Sequence, residues 1–304
     1  MSRGHVALVA SLLLACGRDA APPPTAPPVK AKGIDLGTSI HLIGDLEGLT
    51  FGMTMADARA RVPRLEAPQE AAPPDGDLLG AMPPPPSGPG YASHDSLFLE
   101  AAPQHYEVQF VDGHLRSVEM RLDGITANDV WKAWGAPFDT GKQLVVIDRE
   151  RGLRAVVQPW ATGSPLLLTI EPMVSLGSLI DPDPRKVAGV QVIGRPLAEV
   201  MHDFEPRGFA QHRRTSYLLP PTEYSYRGPT SLTFYSNEAG VVDGWNLDGI
   251  LFDPNDAAWA AVLATYAKAW GDKVEVEEQR VVFRREPLVT VNRITATATV
   301  TTRE

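Results

Sequence analysis

Reactive side chains in this chain amount to one cysteine, seven histidines and 37 acidic residues, and their spacing decides which chemistry is open to them. His5, His41, His94, His105, His114, His202 and His212 are scattered, with no His-x-x-x-His pair, and a single cysteine excludes Cys-x-x-Cys. Zinc needs three or four convergent ligands, so no local metal site is expected. His202-Asp203 comes nearest to a catalytic pair. Neighbours on a helix point about 100° apart, so Asp203 would not orient the His202 ring as a triad acid does. The chain has no G-x-S-x-G, P-loop, G-x-G-x-x-G or S-x-x-K motif. A glycosidase-type carboxylate pair stays open, because two acids brought together by folding leave no mark in local spacing. The expectation is no catalytic residue, no metal and no cofactor. Cys16 stands apart: a lone thiol forms no internal disulfide, so it is free, intermolecular or modified.

The setting of Cys16 narrows that choice. Arg3 precedes an apolar run, Val6 to Ala15, too short for the roughly 20 residues that span a bilayer. Leu13-Leu14-Ala15-Cys16 resembles the lipobox of bacterial lipoproteins. That resemblance implies cleavage before Cys16 and acylation of its thiol, so that the lipid bilayer becomes a partner. Gly17 follows where an Asp would imply retention at the inner membrane, so the family pattern implies an outer-membrane anchor with the body on the periplasmic side. The alternative is an ordinary cleaved signal with Cys16 near the cut.

A formal net charge of −9 argues against nucleic acid and against an anionic lipid surface as main partners. The 28 prolines mark the joints. Residues 1–15 read as the signal and 16–33 as a lipidated Pro/Ala tether, extended in the polyproline manner. A Pro-rich loop, 67–90, interrupts a first unit, 34–180. Asp181-Pro182-Asp183-Pro184 leads into a second, 186–304.

The elements that must position any site repeat along the chain. Leu122-Asp123-Gly124-Ile125 recurs as Leu247-Asp248-Gly249-Ile250, and Lys132-Ala133-Trp134-Gly135 as Lys268-Ala269-Trp270-Gly271. Phe51 to Ala58 has a weaker echo in Ile193 to Val200, in the same order. Thr54 to Asp57 and Thr126 to Asp129 have the form of capping boxes, and Asp253-Pro254 that of a third helix start. Gly135 is expected as an αL cap. Asp112-Gly113 is a hairpin signal between Tyr106–Phe110 and Leu115–Leu122. Strands are expected at Leu97–Leu99, Leu144–Ile147, Arg154–Gln158, Leu166–Ile170, Lys273–Val276, Val281–Arg285 and Leu288–Asn292. Asp243 falls in register with the apolar Val118, which suggests a bulge or an edge. Trp134 and Trp270 read as anchors of their helices on the sheet, whereas Trp131 and Trp245 suit core or surface. The fold class is α+β: two tandem duplicated units, each an antiparallel sheet with helices packed on one face.

Gly52-Met53-Thr54, Val108 to Leu115 and Trp134-Gly135, the last repeated at Trp270-Gly271, resemble two kinds of small envelope module. One is the SmpA/OmlA family of outer-membrane assembly lipoproteins, and the other is the tandem repeat of β-lactamase inhibitory protein. The resemblance implies a binding module without enzymatic activity. The Pro-rich loop and the strands on both sides of the second helix depart from it.

Tyr217, Tyr224 and Tyr226, with Arg213 and Arg214 just before them, are the residue types that dominate interfaces, and they are the candidate partner-binding residues. A packed connecting loop is the competing account. The favoured function is non-enzymatic interaction with an as yet unidentified envelope protein, in assembly or inhibition. A hydrolase of peptidoglycan or glycan, and a carrier of a lipid or small ligand between the sheets, are the alternatives. The segment 294–301 alternates like a strand and either pairs within the chain or offers an edge to another. Labelling growing cells with radioactive palmitate is expected to mark the wild type in the membrane fraction, and Cys16→Ala is expected to be unlabelled and soluble.

Overall fold

The computed structural model describes residues 30–31, 34–67, 94–101, 104–139, 143–158, 165–207, 209–225, 230–249, 256–271, 275–277, 280–283, 286–293 and 297–302. Cys16, the signal, the tether up to residue 29, loop residues 68–90, Asp253-Pro254 and Tyr226 lie outside them.

Helix α1 is Met55–Arg61, and strands β1 His94–Ala101, β2 Gln104–Val111 and β3 His114–Leu122 follow it. Next come α2 Ala127–Trp134, β4 Phe138–Asp139, β5 Leu144–Asp148, β6 Leu153–Val157, β7 Leu166–Pro172 and the short α3 Leu176–Leu179. The second half runs α4 Leu197–Phe204, β8 Ala210–Arg213, β9 Ser216–Leu219, β10 Thr230–Ser236 and β11 Val242–Asp248. It ends with α5 Asp256–Trp270, β12 Glu275–Glu277, β13 Arg280–Phe283, β14 Leu288–Asn292 and β15 Thr297–Thr301. The architecture is α+β, built mainly on two antiparallel sheets. The first has the order β1-β2-β3-β7-β6-β5-β4, the second β8-β9-β10-β11-β15-β14-β13-β12. Apart from the extra edge strand β8, the two orders are the same.

The strands follow from period-two patterning. In β2, Tyr106, Val108 and Phe110 are buried and alternate with His105, Glu107 and Gln109. They join one apolar cluster with Ala58 and with Ala127 and Val130 of α2. A second cluster combines Trp245, Leu247, Val289, Val291 and Val300 with Val200 and Phe204 of α4 and with Val262, Tyr266 and Trp270 of α5. Thr54 and Thr126 cap their helices by accepting from the N–H groups of Asp57 (3.1 Å) and Asp129 (3.4 Å). At Thr126 the carboxylate answers, so that box is complete.

The halves agree in hydrogen-bond detail. Gly52 donates to the carbonyl of Leu115 (2.9 Å), and Gly194 to that of Val242 (2.8 Å). Both glycines take φ near +85°, at +85° and +86°, which side chains rarely adopt. Met55 donates to Gly113 (3.0 Å) and Leu197 to Gly240 (2.9 Å). The indole of Trp134 donates to the Leu36 carbonyl (2.7 Å), and that of Trp270 to the Asp181 carbonyl (2.8 Å). Each tryptophan thus ties the end of its helix to the segment entering its half. Trp245, fully buried, holds the same second entry by donating to Pro184 (3.0 Å), so the proline joint is pinned.

Several expectations change in detail. Asp112 and Gly113 both have positive φ, 50° and 72°, the signature of a type I′ hairpin. Asp243 sits on a bulge, because Tyr235 pairs with Gly244 and Ser236 with Val242. Its counterpart by position is the bulged Arg116 rather than Val118. Gly135 ends α2 with φ 105° and ψ 173°, open to glycine but not αL. The C-terminal strand β15 lies inside the sheet between β11 and β14, so it offers no edge. Tyr217 to Leu219, part of the tyrosine-rich stretch for which a connecting loop is the competing account, lie in strand β9.

The outer faces of the sheets differ. On the second, Thr290, Thr299, Asn246 and Thr233 line up in register across four strands, and Thr299 donates to Asn246 (2.8 Å). On the first, Val145, Val156, Thr169, Arg154 and Glu171 are buried. Something covers that face.

Trp270→Phe removes a buried N–H bond and leaves a small cavity. It is expected to lower unfolding free energy in urea by about 1–3 kcal/mol, whereas Tyr235→Ala, on an exposed ring, is expected to change it by less than about 0.5 kcal/mol.

Candidate functional site: a cleft between the two sheets

The cover of the first sheet comes from the second half. Val174, just past β7, donates to the Pro221 carbonyl (3.0 Å). Arg154, on β6, has no exposed surface. Its Nε donates to Glu171 on β7 (2.9 Å), and its Nη2 lies 2.6 Å from the same carboxylate oxygen. Its Nη1 donates to the Thr222 carbonyl (3.0 Å) and to the Ser225 carbonyl. One guanidinium therefore satisfies a buried acid of the first sheet and two carbonyls of the second half. Glu223, also buried, accepts from the Leu176 N–H (2.7 Å) and from Ser175 (3.3 Å), closing the other side of the joint.

Beside this lock lies a cleft of about 320 Å3, lined from both halves. Its floor is the outer face of the first sheet, where Ser96, Gln109 and Ser117 stand in one register row across β1, β2 and β3. Thr169 and Glu171 of β7 continue it, and Arg116, the bulged residue of β3, borders it. The opposite wall is Ala210, Leu218, Pro220 and Pro221. The floor residues are linked: Ser117 donates to Gln109 (2.7 Å), Gln109 to Glu107 (3.0 Å) and Ser96 to Glu107 (3.0 Å). Thr169 is 3% exposed, and its hydroxyl finds no hydrogen-bond partner among the described residues. An unmatched buried hydroxyl costs about 1–3 kcal/mol, so Thr169 calls for a partner that the described residues do not supply. Burial pulls the Arg116 guanidinium below its ordinary pKa, and Asp112 opposes the shift. His212 is lowered too, by burial first and then by Arg213 and His94.

Comparison with family models, with curated proteins and with solved structures finds no match. The site must be read from its own geometry.

The partner-binding residues expected from sequence separate here. Tyr217 is a core residue, 2% exposed, packed on Phe204 at 5.6 Å and donating to the Met201 carbonyl (2.7 Å). Burial pushes its phenol up to about 12. It is not an interface aromatic: period-two alternation in β9 turns it inward. Tyr224 is half-buried against Phe138, 5.8 Å between centroids, so it belongs to the joint. Tyr226 lies outside the described residues. Arg213 and Arg214 are exposed at the turn between β8 and β9.

The histidines also disperse. His202 pairs with Glu205 (3.2 Å) while Asp203 pairs with Arg195 (2.6 Å), so the adjacent pair takes separate partners. His105 faces Glu100, and His41 lies edge-on to Trp134 at 6.4 Å. Among the described residues no group of three His, Cys, Asp or Glu is close enough to hold a metal ion. Sequence reasoning missed Arg154, Glu171, Thr169, Ser117 and Gln109. All are polar residues alternating with apolar ones, a pattern that reads as a solvated face.

Arg154→Met is expected to cost about 3–5 kcal/mol in urea unfolding, because Glu171 is left buried without its cation. Arg154→Met with Glu171→Leu is expected to recover most of that loss.

Proposed function

We propose that this chain is an envelope lipoprotein, anchored through acylated Cys16 on the periplasmic side of an outer membrane, that binds a ligand without transforming it. In this reading the body is a duplicated unit, each sheet carrying its helices on one face. The cleft between the halves is the binding site. The observation that carries it is the cleft of about 320 Å3 at the joint, with the Thr169 hydroxyl buried and unmatched on its floor. Ligand sites favour such concave places between structural units, mostly apolar with a few polar groups, and begin near 300 Å3. The carrier alternative thus moves ahead of the protein-interaction reading. Glu171, the buried carboxylate of the cleft, is committed to Arg154, which makes it a poor start for hydrolysis.

Interaction with an envelope protein stays as the second reading. It is supported by Arg213 and Arg214, exposed side by side at a hairpin tip. The two readings separate by mutation. Ala210→Trp fills the cleft, and Arg213→Ala with Arg214→Ala strips the tip. Thermal shift against a small-molecule library is expected to find compounds that raise the melting temperature of the wild type and of the double arginine variant but not of Ala210→Trp. If Ala210→Trp keeps every response while the arginine variant loses a stoichiometric envelope protein in pull-down, the cleft reading fails and the interaction reading holds.

A further inference from the structure

Resting on the cleft as a binding site, we infer that its ligand is a sugar unit, free or at the end of a glycan. Glu171 is matched by Arg154, whereas burial outweighs the pull of Asp112 on Arg116. Asp95 and His94 stand in the lining with Arg116, so charges of both signs border the cleft and none dominates it. Between these charges the row Ser96, Gln109 and Ser117, with Thr169, is neutral and directional. Ser117 and Ser96 each donate inward along the chain that ends on Glu107, which leaves their oxygens as acceptors. Gln109 uses one amide hydrogen for Glu107 and has a second. Thr169 both donates and accepts, and neither capacity is used among the described residues.

Acceptors and donors in alternation, spaced by a strand separation of about 4.8 Å, suit a ligand whose own groups are hydroxyls, since each hydroxyl is donor and acceptor at once. The facing wall of Ala210, Leu218, Pro220 and Pro221 offers only apolar surface. A sugar ring presents hydroxyls at its edge and C–H groups on its face, which matches a polar floor opposite an apolar wall. A volume equal to about ten waters restricts the occupant to one or two rings. A fatty acyl chain would leave the floor unmatched, and a phosphate or carboxylate would meet the Asp95 carboxylate as well as Arg116.

The test is isothermal titration of the whole folded body with glucose, N-acetylglucosamine and their β-1,4-linked disaccharides, with octanoate and inorganic phosphate as comparators. Thr169→Val keeps the shape and removes only the hydroxyl. It is expected to weaken saccharide binding about tenfold, the loss of one good hydrogen bond, with a melting temperature equal to or above that of the wild type. Ala210→Trp is expected to abolish binding. A disaccharide bound more tightly than its monosaccharide, and matched by a soluble polymer of the same unit, identifies a glycan end as the source. Equal binding of the monosaccharide with none of the polymer identifies free sugar. If octanoate or phosphate binds, is lost in Ala210→Trp, and no saccharide binds, the sugar assignment is wrong while the cleft remains a ligand site. If saccharide binds equally to wild type and Ala210→Trp, the site lies elsewhere and both readings fall.

Discussion

A full positive charge without exposed surface is the constraint on which this structure turns. Arg154 could not be buried alone, since removing an ion from water costs several kcal/mol that only matched partners offset. Its partners come from both halves: Glu171 beside it on the first sheet, and the carbonyls of Thr222 and Ser225 from the second. The first sheet therefore cannot lose its cover without stranding a charge. That cover turns an outer sheet face, which in the second half is a solvated grid of threonine and asparagine, into the floor of a cleft.

Everything nearby serves that arrangement. The entries to the two halves are each tied by an indole N–H, from Trp134 and from Trp270. The hairpins beside α1 and α4 are each held by a glycine at φ near +85°. These fastenings recur in both halves, and the extra strand β8 is what the second half adds. β8 and β9 form a hairpin with two working faces. Tyr217 and Leu219 enter the core of the second half, while Leu218 looks onto the cleft. A single hairpin thereby couples the packing of one half to the site on the other.

Much of the framework was legible in the sequence because it is local. Capping threonines, the Asp112-Gly113 turn and the strand periodicities are decided by neighbours a few residues away, and the repeated Trp-Gly and Leu-Asp-Gly-Ile motifs located equivalent elements. The site was not legible, because it is made of distant residues: Arg154 meets Ser225 across 71 positions. Ser117, Thr169 and Glu171 alternate with apolar residues as any solvated strand face does, and only the docking of the second half converts that face into an interior. The tyrosine stretch misled for the converse reason. Aromatic and arginine content suggests an interface, but the partner of Tyr224 is Phe138 of the same chain, and Tyr217 answers to the alternation of β9.

The central claim is that the two halves fold as one body around Arg154. Urea unfolding followed in single-tryptophan variants tests it directly, one keeping Trp134 and the other Trp270, with the remaining tryptophans replaced by phenylalanine. The account predicts that, once each is corrected for its own change in stability, the two reporters show transitions of the same slope, with a slope scaled to the whole chain. Each would then lose its cooperativity when Arg154→Met is added. Two separate transitions of half-chain slope in the Arg154 background would contradict it, because the halves would then be independent and the cleft between them incidental.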